Sequence, residues 1–510
     1  MRTEDRAAQP ANTARSRAGA RRARLNYRRR ERSDHYSRFL GFTALGSLIP
    51  GAGLLAGGRR RWGVFFLSLV FLGIAGLVAV YLLVPTERIL AIAFDQQELA
   101  FVIGGAALVG ITWLLVAVAS HRALEPSGLS AGKRLGGALV VVIVTSLVLT
   151  PLAAGVQRAF LQRDLIESVA APEDAKSNTT PELVEDVDPW ADKPRVNILL
   201  LGGDGAPNRD GIRPDSQILA SIDTKTGDTM LFSLPRNLQG VPFPVDSPLY
   251  ELYPDGFGWQ DDNENYLLNA VYKNVPENHP GIFEGVDYPG ADANKWAVEG
   301  ALGLDVDYFV LVNLDGFKEL VDALGGITVD VKESIPIGGV GGPVTGYIEK
   351  GDNQRLNGYR ALWFARSREG SDDYERMERQ RCVIAAIVEE ADPVTVFRRY
   401  QELAAATKDI VATDIPAAVL PDFVELALKV KDGSVRTLAF TNRVIDPQSP
   451  DYGKMQAMVA EALQPQPAAT TSPSASATPA PTATTPSTTP APSESPTVPP
   501  DEPADVSAVC

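Results

Sequence analysis

Four apolar stretches lie in the first 156 residues, and three of them, 63–84, 102–119 and 135–156, are long and uncharged enough to cross a bilayer. Hydrocarbon leaves no water to satisfy backbone polar groups, so such stretches must be helices. The chain is therefore expected to be a multi-pass membrane protein carrying a polar body. The first stretch, 39–57, is different. Gly41, Gly46, Pro50, Gly51, Gly53 and Gly57 interrupt it, and Gly58 and the triplet Arg59, Arg60 and Arg61 come directly after. A segment so broken makes a poor straight span. It fits a signal peptide only loosely, because further spans lie beyond it.

Two topologies compete. If all four stretches cross, Arg59–Arg61 lies outside and the body is cytoplasmic. If 39–57 is re-entrant or interfacial, the N-terminal tail, Arg59–Arg61 and the loop with His121, Arg122, Lys133 and Arg134 all lie in the cytoplasm. The positive-inside rule prefers the second arrangement, with three spans and the body extracytoplasmic. The expected location is thus the cell membrane, with the lipid bilayer as a partner.

Charge is uneven along the chain. The net charge is −15, yet about a dozen arginines fall in the first 38 residues, read as a basic cytoplasmic tail. The remainder of the chain is strongly acidic, which excludes a nucleic-acid reader as partner. Residues 157–194 read as an acidic linker and 195–463 as a folded α/β body of short apolar runs alternating with helical patterns. Residues 464–510, rich in Pro, Ser, Thr and Ala, read as a disordered tail. Cys382 and Cys510 form neither a disulfide framework nor a zinc site and are read as free thiols.

Within the body, Val196-Asn-Ile-Leu-Leu-Leu reads as a buried strand stopped by Gly202-Gly203, with Asp204 just beyond it. Asp215 precedes a second strand at 216–223, and a third at 228–234 ends in Pro235-Arg236. Consecutive strands running up, down and up bring Asp204, Asp215 and Arg236 to one end of the sheet. Two carboxylates and a guanidinium suit a Mg²⁺-bound phosphate, since hard cations take oxygen ligands from carboxylates and substrate phosphates. The same two aspartates also fit ordinary loop positions beside Gly and Pro.

A second cluster surrounds Arg366 and Arg368. A helix is expected to end near Ala365, and Ser371 or Asp372 to cap another running to about Glu390. On it Arg376 and Gln380 share a face, with Arg379 adjacent. Helix N-termini and guanidinium forks favour phosphate oxygens. A solvated helix laced by pairs such as Glu375–Arg379 is the blander account. Farther upstream, Asp315-Gly-Phe through Val329 reads as a helix, a Gly-Gly stop and a strand.

Together these segments resemble the LytR-CpsA-Psr family in its actinobacterial form, over about 195–460. The resemblance is carried by Asn197-Ile-Leu-Leu-Leu-Gly-Gly-Asp, Arg213-Pro-Asp-Ser, Ser233-Leu-Pro-Arg-Asn, Leu268-Asn-Ala, Val321-Asp-Ala-Leu-Gly-Gly, Leu356-Asn-Gly-Tyr-Arg-Ala-Leu-Trp-Phe-Ala-Arg-Ser-Arg and Asp373-Tyr-Glu-Arg-Met-Glu-Arg-Gln. It implies a three-layer α-β-α domain with a central mixed sheet. It also implies a phosphotransferase that moves a polyprenyl-pyrophosphate-linked glycan onto peptidoglycan through a phosphodiester. Asp204 and Asp215 fall at the family's Mg²⁺-associated positions, and Arg236, Arg366, Arg368, Arg376 and Gln380 at its pyrophosphate-binding ones. Asp204, Arg236 and Arg368 are the expected catalytic groups, and Asp373 matches the acid preceding the last arginine. Two departures stand out: Asn237 where many members carry Asp, and Gly205 where an Arg is usual. A polyprenyl-phosphate sensor, or a hydrolase of the same pyrophosphate, are the rival readings of such a site.

Overall fold

The computed structural model describes residues 35–172, 174–183, 188–203, 212–258, 263–339, 342–391, 411–464, 502–506 and 510. It divides into two compact units. One holds the described part of residues 1–85 together with 97–161, and the other 86–96 with the described part of 162–510.

In the first unit, residues 35–48 are helical, a turn comes next, and α1 (Ala52–Ala56) returns. Gly51 makes the turn at φ 98°, and a Cβ on Gly46 would meet the Gly53 backbone at 2.8 Å. Small residues thus allow the two arms to touch. The first apolar stretch is therefore a hairpin. Its longer arm, at about 21 Å, falls short of the roughly 30 Å of hydrocarbon. Then come α2 (Arg60–Leu83), α4 (Gln96–Leu124) and α5 (Ala131–Val169), while α3 (Thr86–Phe94), between α2 and α4 in the chain, belongs to the second unit. Three helices are long and apolar enough to cross a membrane, over Arg60–Leu83, Gln96–Leu124 and Ala131–Asp164. They overlap the stretches 63–84, 102–119 and 135–156, the first helix ending one residue before Val84.

The second unit is built on a seven-stranded mixed sheet. Its strands are β1 (Arg195–Gly203), β2 (Pro214–Asp223), β3 (Thr229–Leu234), β4 (Tyr308–Asn313), β9 (Val411–Thr413), β10 (Val435–Ala439) and β11 (Ala504–Asp505), in the order β11-β10-β3-β2-β1-β4-β9. Two small hairpin sheets pair β5 (Ile327–Val331) with β8 (Gly351–Leu356) and β6 (Ile335–Gly338) with β7 (Val344–Ile348). β1–β2 and β2–β3 are antiparallel, while β1–β4 and β3–β10 are parallel.

Period-two alternation gives each central strand two apolar faces. Leu199, Leu201, Leu219, Met230, Phe232 and Leu234 pack with α6 (Leu268–Asn278), α7 (Pro289–Leu302) and the last helix, Tyr452–Ala462. On the opposite face, Ile218, Ala220 and Leu231 meet the helix Asp373–Glu390 through Ile384 and Ala385, and Val196 and Tyr308 meet Leu420–Asp432 through Leu426. Helices on both faces of one sheet make the three expected layers.

Two findings differ from the sequence reading. Cys382 and Cys510 are not free thiols but a disulfide, with Cα atoms 5.3 Å apart. The reason is long-range. β11 returns antiparallel to β10, Val506 is buried beside Ile218 and Leu231, and the chain end is carried to the helix bearing Cys382. Those last residues are thus fixed to the body, although they fall in the stretch read as a tail. Part of the stretch read as a linker is also bound to the body. Asp292 accepts from Ser177 Oγ, Asn178 N and Thr179 Oγ1, and Thr180 Oγ1 donates to Asp414.

Candidate functional site

β1 and β2 pair through Gly203 and Pro214, and β2 and β3 through Gln217 and Leu234. The end of β1, the start of β2 and the end of β3 therefore share one sheet end, as the up-down-up reading requires. Asp215 Oδ1 accepts from Arg236 Nη1 at 2.9 Å across that end. Asp204 comes directly after Gly203 in the sequence but lies outside the described residues.

The second cluster is carried by two helices whose starts the sequence specifies. Asn357 caps α9 (Gly358–Arg366) by accepting from Arg360 N. Asp372 caps α10 (Asp373–Glu390) by accepting from Tyr374 N and Glu375 N, and Glu375 reaches back to Asp372 N to complete a capping box. α8 (Leu314–Leu324) is likewise capped by Asn313 and stopped by Gly325 at φ 87°, in agreement with the sequence pattern.

The loop between α9 and α10 presents Arg368, which donates from Nη2 to Asp215 Oδ2 at 3.0 Å and lies 3.2 Å from Asp373 Oδ1. Arg236 Nε donates to Asp373 Oδ2 at 3.1 Å. Arg236 and Arg368 thus each hold the same two carboxylates. Arg376 completes the cluster, with Nη2 donating to the Asp215 carbonyl at 3.3 Å and Nη1 3.7 Å from Asp373. Asn269 donates to Asp215 Oδ1 at 3.4 Å.

Electrostatics derive from this packing. Burial pushes the Asp215 carboxyl up, but Arg236, Arg368 and Arg376 outweigh it and hold it below the ordinary carboxylate range. Asp373 is also lowered, burial being overcome by Arg376, Arg236 and Arg368. Arg236 is raised, because its two carboxylates outweigh its burial. Arg376 is only 3% exposed. Burial, with Arg368 nearby, brings its guanidinium down to about 10 against the opposing pull of Asp373 and Asp215. Among the described residues, three guanidinium groups against two carboxylates leave the cluster cationic, within a chain of net charge −15.

The other expected residues make different contacts. Arg366 lies over the Trp363 ring at 5.8 Å, and Gln380 donates to the Ala365 carbonyl at 3.3 Å. Arg379 is half-buried rather than solvated, with Glu375 as a charged neighbour, and turns to two backbone carbonyls and a hydroxyl. It donates to Phe364 O at 2.8 Å, to Ser367 O, and to Ser371 Oγ at 3.1 Å. Asp373 faces three arginines, Arg236, Arg368 and Arg376; its position three residues before Arg376 hints at the last, and only the fold reveals the other two. Among the described residues no group of three or more His, Cys, Asp or Glu could hold a metal ion.

A profile described as the LytR_cpsA_psr family matches residues 164–466, more than half of the chain. The chain belongs to the LytR_cpsA_psr family. Curated members similar to it include two proteins named polyisoprenyl-teichoic acid–peptidoglycan teichoic acid transferase TagU. That of Oceanobacillus iheyensis is 31% identical over 233 residues, 44% of this chain and 61% of the relative. That of Enterococcus faecalis is 31% identical over 228 residues, 44% of this chain and 62% of the relative. The matches therefore span less than two thirds of these relatives. Among solved structures, TagV of B. subtilis is 23% identical, covers 53% of this chain and 97% of its own, and has a TM-score of 0.37.

Proposed function

We propose that this LytR_cpsA_psr chain is a phosphotransferase moving a glycopolymer from a polyprenyl-pyrophosphate carrier onto peptidoglycan, with a phosphodiester as the new link. The observation that carries the reading is the paired clasp of Arg236 and Arg368 on Asp215 and Asp373 at one sheet end. Guanidinium forks match phosphate oxygens in two-point contacts, and a net cationic cluster preorganised by carboxylates suits a pyrophosphate. Membership of the family and the activity named for its TagU relatives point the same way.

In the proposed step, an acceptor hydroxyl oxygen attacks the phosphorus that bears the glycan. The bond from that phosphorus to the bridging oxygen breaks, and the lipid monophosphate leaves. The hydroxyl proton passes to a carboxylate, for which Asp204 is assigned as base. Arg236 and Arg368 spread the charge arriving on the leaving phosphate, with Arg366 two residues before Arg368 at the end of α9 and Gln380 on α10. Arg376, largely buried, acts through Asp215 and Asp373. Magnesium is proposed at Asp215 together with Asp204. Asp215 Oδ1 already accepts from Arg236 and Asn269, but Oδ2 takes the Arg368 guanidinium and retains a second lone pair, and magnesium needs only one or two protein carboxylates when phosphates complete its shell. Bound there, the ion would supply charge neutralisation for the phosphate groups.

The body is proposed to lie outside the membrane. Three spans with the 39–57 hairpin kept on the inner side place every basic cluster in the cytoplasm. The Cys382–Cys510 disulfide supports the same side, because such bonds persist in oxidising compartments.

The test is reconstitution of the full chain with a polyprenyl-pyrophosphate glycan, peptidoglycan fragments and Mg²⁺. Lipid phosphate release and glycan–peptidoglycan phosphodiester would be measured for the parent, Asp204→Ala and Arg368→Ala. Linked product from the parent alone is expected. Phosphate release without linkage would replace transfer by hydrolysis, and tight binding without turnover would replace it by sensing.

A further inference from the structure

Arg366 and Arg368 sit where a helix ends, and helix ends are poorly held by their own backbone. The last four carbonyls of α9 have no partner within the helix and need one from outside. The loop after it must also carry like charges close together, which favours spreading. Something must hold Arg366 and Arg368 in place.

The neighbouring helix supplies the hold from one side chain. Arg379 donates from Nε to Phe364 O at 2.8 Å, and from Nη2 both to Ser367 O and to Ser371 Oγ at 3.1 Å. Its acceptors lie on both sides of Arg366 and Arg368, before, between and after them. Gln380, the next residue, adds Ala365 O at 3.3 Å. A planar fork of five donors can serve several carbonyls at once, and a lysine ammonium cannot reproduce that geometry. Burial lowers the Arg379 pKa, and the carboxylates of Glu375, Glu378, Asp372 and Glu333 oppose it. A guanidinium kept half-buried among these acceptors is fixed in direction rather than free to reach substrate.

We infer that Arg379 is a positioning residue, which pins the 364–371 segment so that Arg366 and Arg368 face the phosphate site. This rests on the phosphate reading of the Asp215 cluster but not on transfer as its outcome. Arg379 spends its hydrogen bonds on the loop and not on Asp215 or Asp373, so its influence must pass through the loop.

The experiment is calorimetric titration of the full chain in nanodiscs with inorganic pyrophosphate. Parent, Arg379→Ala, Arg379→Lys, Arg368→Ala and the Arg368→Ala/Arg379→Ala pair would be compared, with thermal unfolding alongside. Arg379→Ala is expected to weaken binding about tenfold, the size of one lost charge-assisted hydrogen bond, with Arg379→Lys between it and the parent. In the Arg368→Ala background the same change should cost at least about threefold less, because residues acting through one group are non-additive. A merely structural role would give an equal loss in both backgrounds and would overturn the inference. So would Arg379→Ala or Arg379→Lys binding as tightly as the parent. If Arg379→Ala fails to fold, Arg379→Lys carries the same comparison. A parent that binds no pyrophosphate would remove the phosphate reading itself and this inference with it, an outcome distinct from a silent variant beside a binding parent.

Discussion

Asp215 is where charge repulsion and side-chain positioning oppose each other, and Asp215→Asn separates them. Asparagine keeps an acceptor for one guanidinium and removes one negative charge. A phosphate oxygen bonded to Arg236 or Arg368 would sit about 6 Å from the Asp215 carboxylate, two hydrogen-bond lengths through the shared guanidinium. At that distance a pair of unit charges repels by roughly 0.7 kcal/mol in water and roughly 2.8 kcal/mol at an effective dielectric of 20. The Asp215 side chain is 39% exposed, so solvent screening favours the lower part of the range, about 1 kcal/mol. Arg236 and Arg368 each keep Asp373, so their placement should survive the substitution. Asp215→Asn should therefore bind inorganic pyrophosphate roughly fivefold more tightly than the parent in magnesium-free buffer, measured by calorimetry on the full chain. With magnesium added the order should reverse, since the proposed ion would lose a ligand. Weaker binding by the variant without magnesium would refute the reasoning, because orientation of the guanidinium groups would then outweigh repulsion. An unchanged order with magnesium would take Asp215 out of the metal site.

Acid should loosen the same cluster. Asp215 and Asp373 both have folded pKa values below their unfolded ones, so their contribution is full above the unfolded value and is lost as pH falls through the lowered folded values. The loss should begin below about pH 4 and appear as a falling unfolding temperature, with a shallower slope in Asp215→Asn; equal slopes would contradict it. The Cys382–Cys510 bridge closes a sequence separation of 128 residues, for which chain entropy sets an upper bound of about 5 kcal/mol. Cys510→Ser should lower the guanidinium midpoint of the oxidised protein, and an unmoved midpoint would mean the bridge adds nothing. Lys295, fully buried, donates to Asp414 Oδ2 and Asp307 O, both at 2.8 Å. Lys295→Met should cost about 3–5 kcal/mol in denaturant unfolding by leaving the buried Asp414 without its counter-charge, and a cost under about 1 kcal/mol would show that the hydrogen bonds from Thr180 and Phe309 suffice to hold it.

The features legible in the sequence were local. The alternation of Leu199 and Leu201 with Ile198 and Leu200 marks a strand with two buried faces, and three such strands place Asp215 and Arg236 together. Asp372 with Glu375 three residues later announces the start of α10. The features that escaped were set by distance. The return of residues 504–506 to the sheet edge and of Cys510 to Cys382 carries no local signal, because it depends on partners far away in the chain: β10, Ile218 and Cys382. Lys295 and Arg379 look like ordinary helix-surface charges in sequence, and only the packing turns them inward.

Membrane sidedness draws on both kinds of information. α3, between the first two candidate spans, packs on the body helix Leu420–Asp432, with Ala91 buried and Arg88 3.9 Å from Glu425. The loop holding α3 and the body must then lie on one side of the membrane. If α2 and α4 both cross, α5 must cross as well, because otherwise the body would be left on the side opposite α3. This contact therefore supports the number of crossings after residue 60 but is silent on which side is outside. The hairpin at 39–57 bears on that question, since returning to its own side keeps Arg59–Arg61 with the arginine-rich first 38 residues. The disulfide bears on it again and by different physics, because thiol oxidation depends on compartment and not on the charge of loops. Loop charge and redox chemistry are independent of one another, and both support the outer face proposed above for the Asp215 cluster.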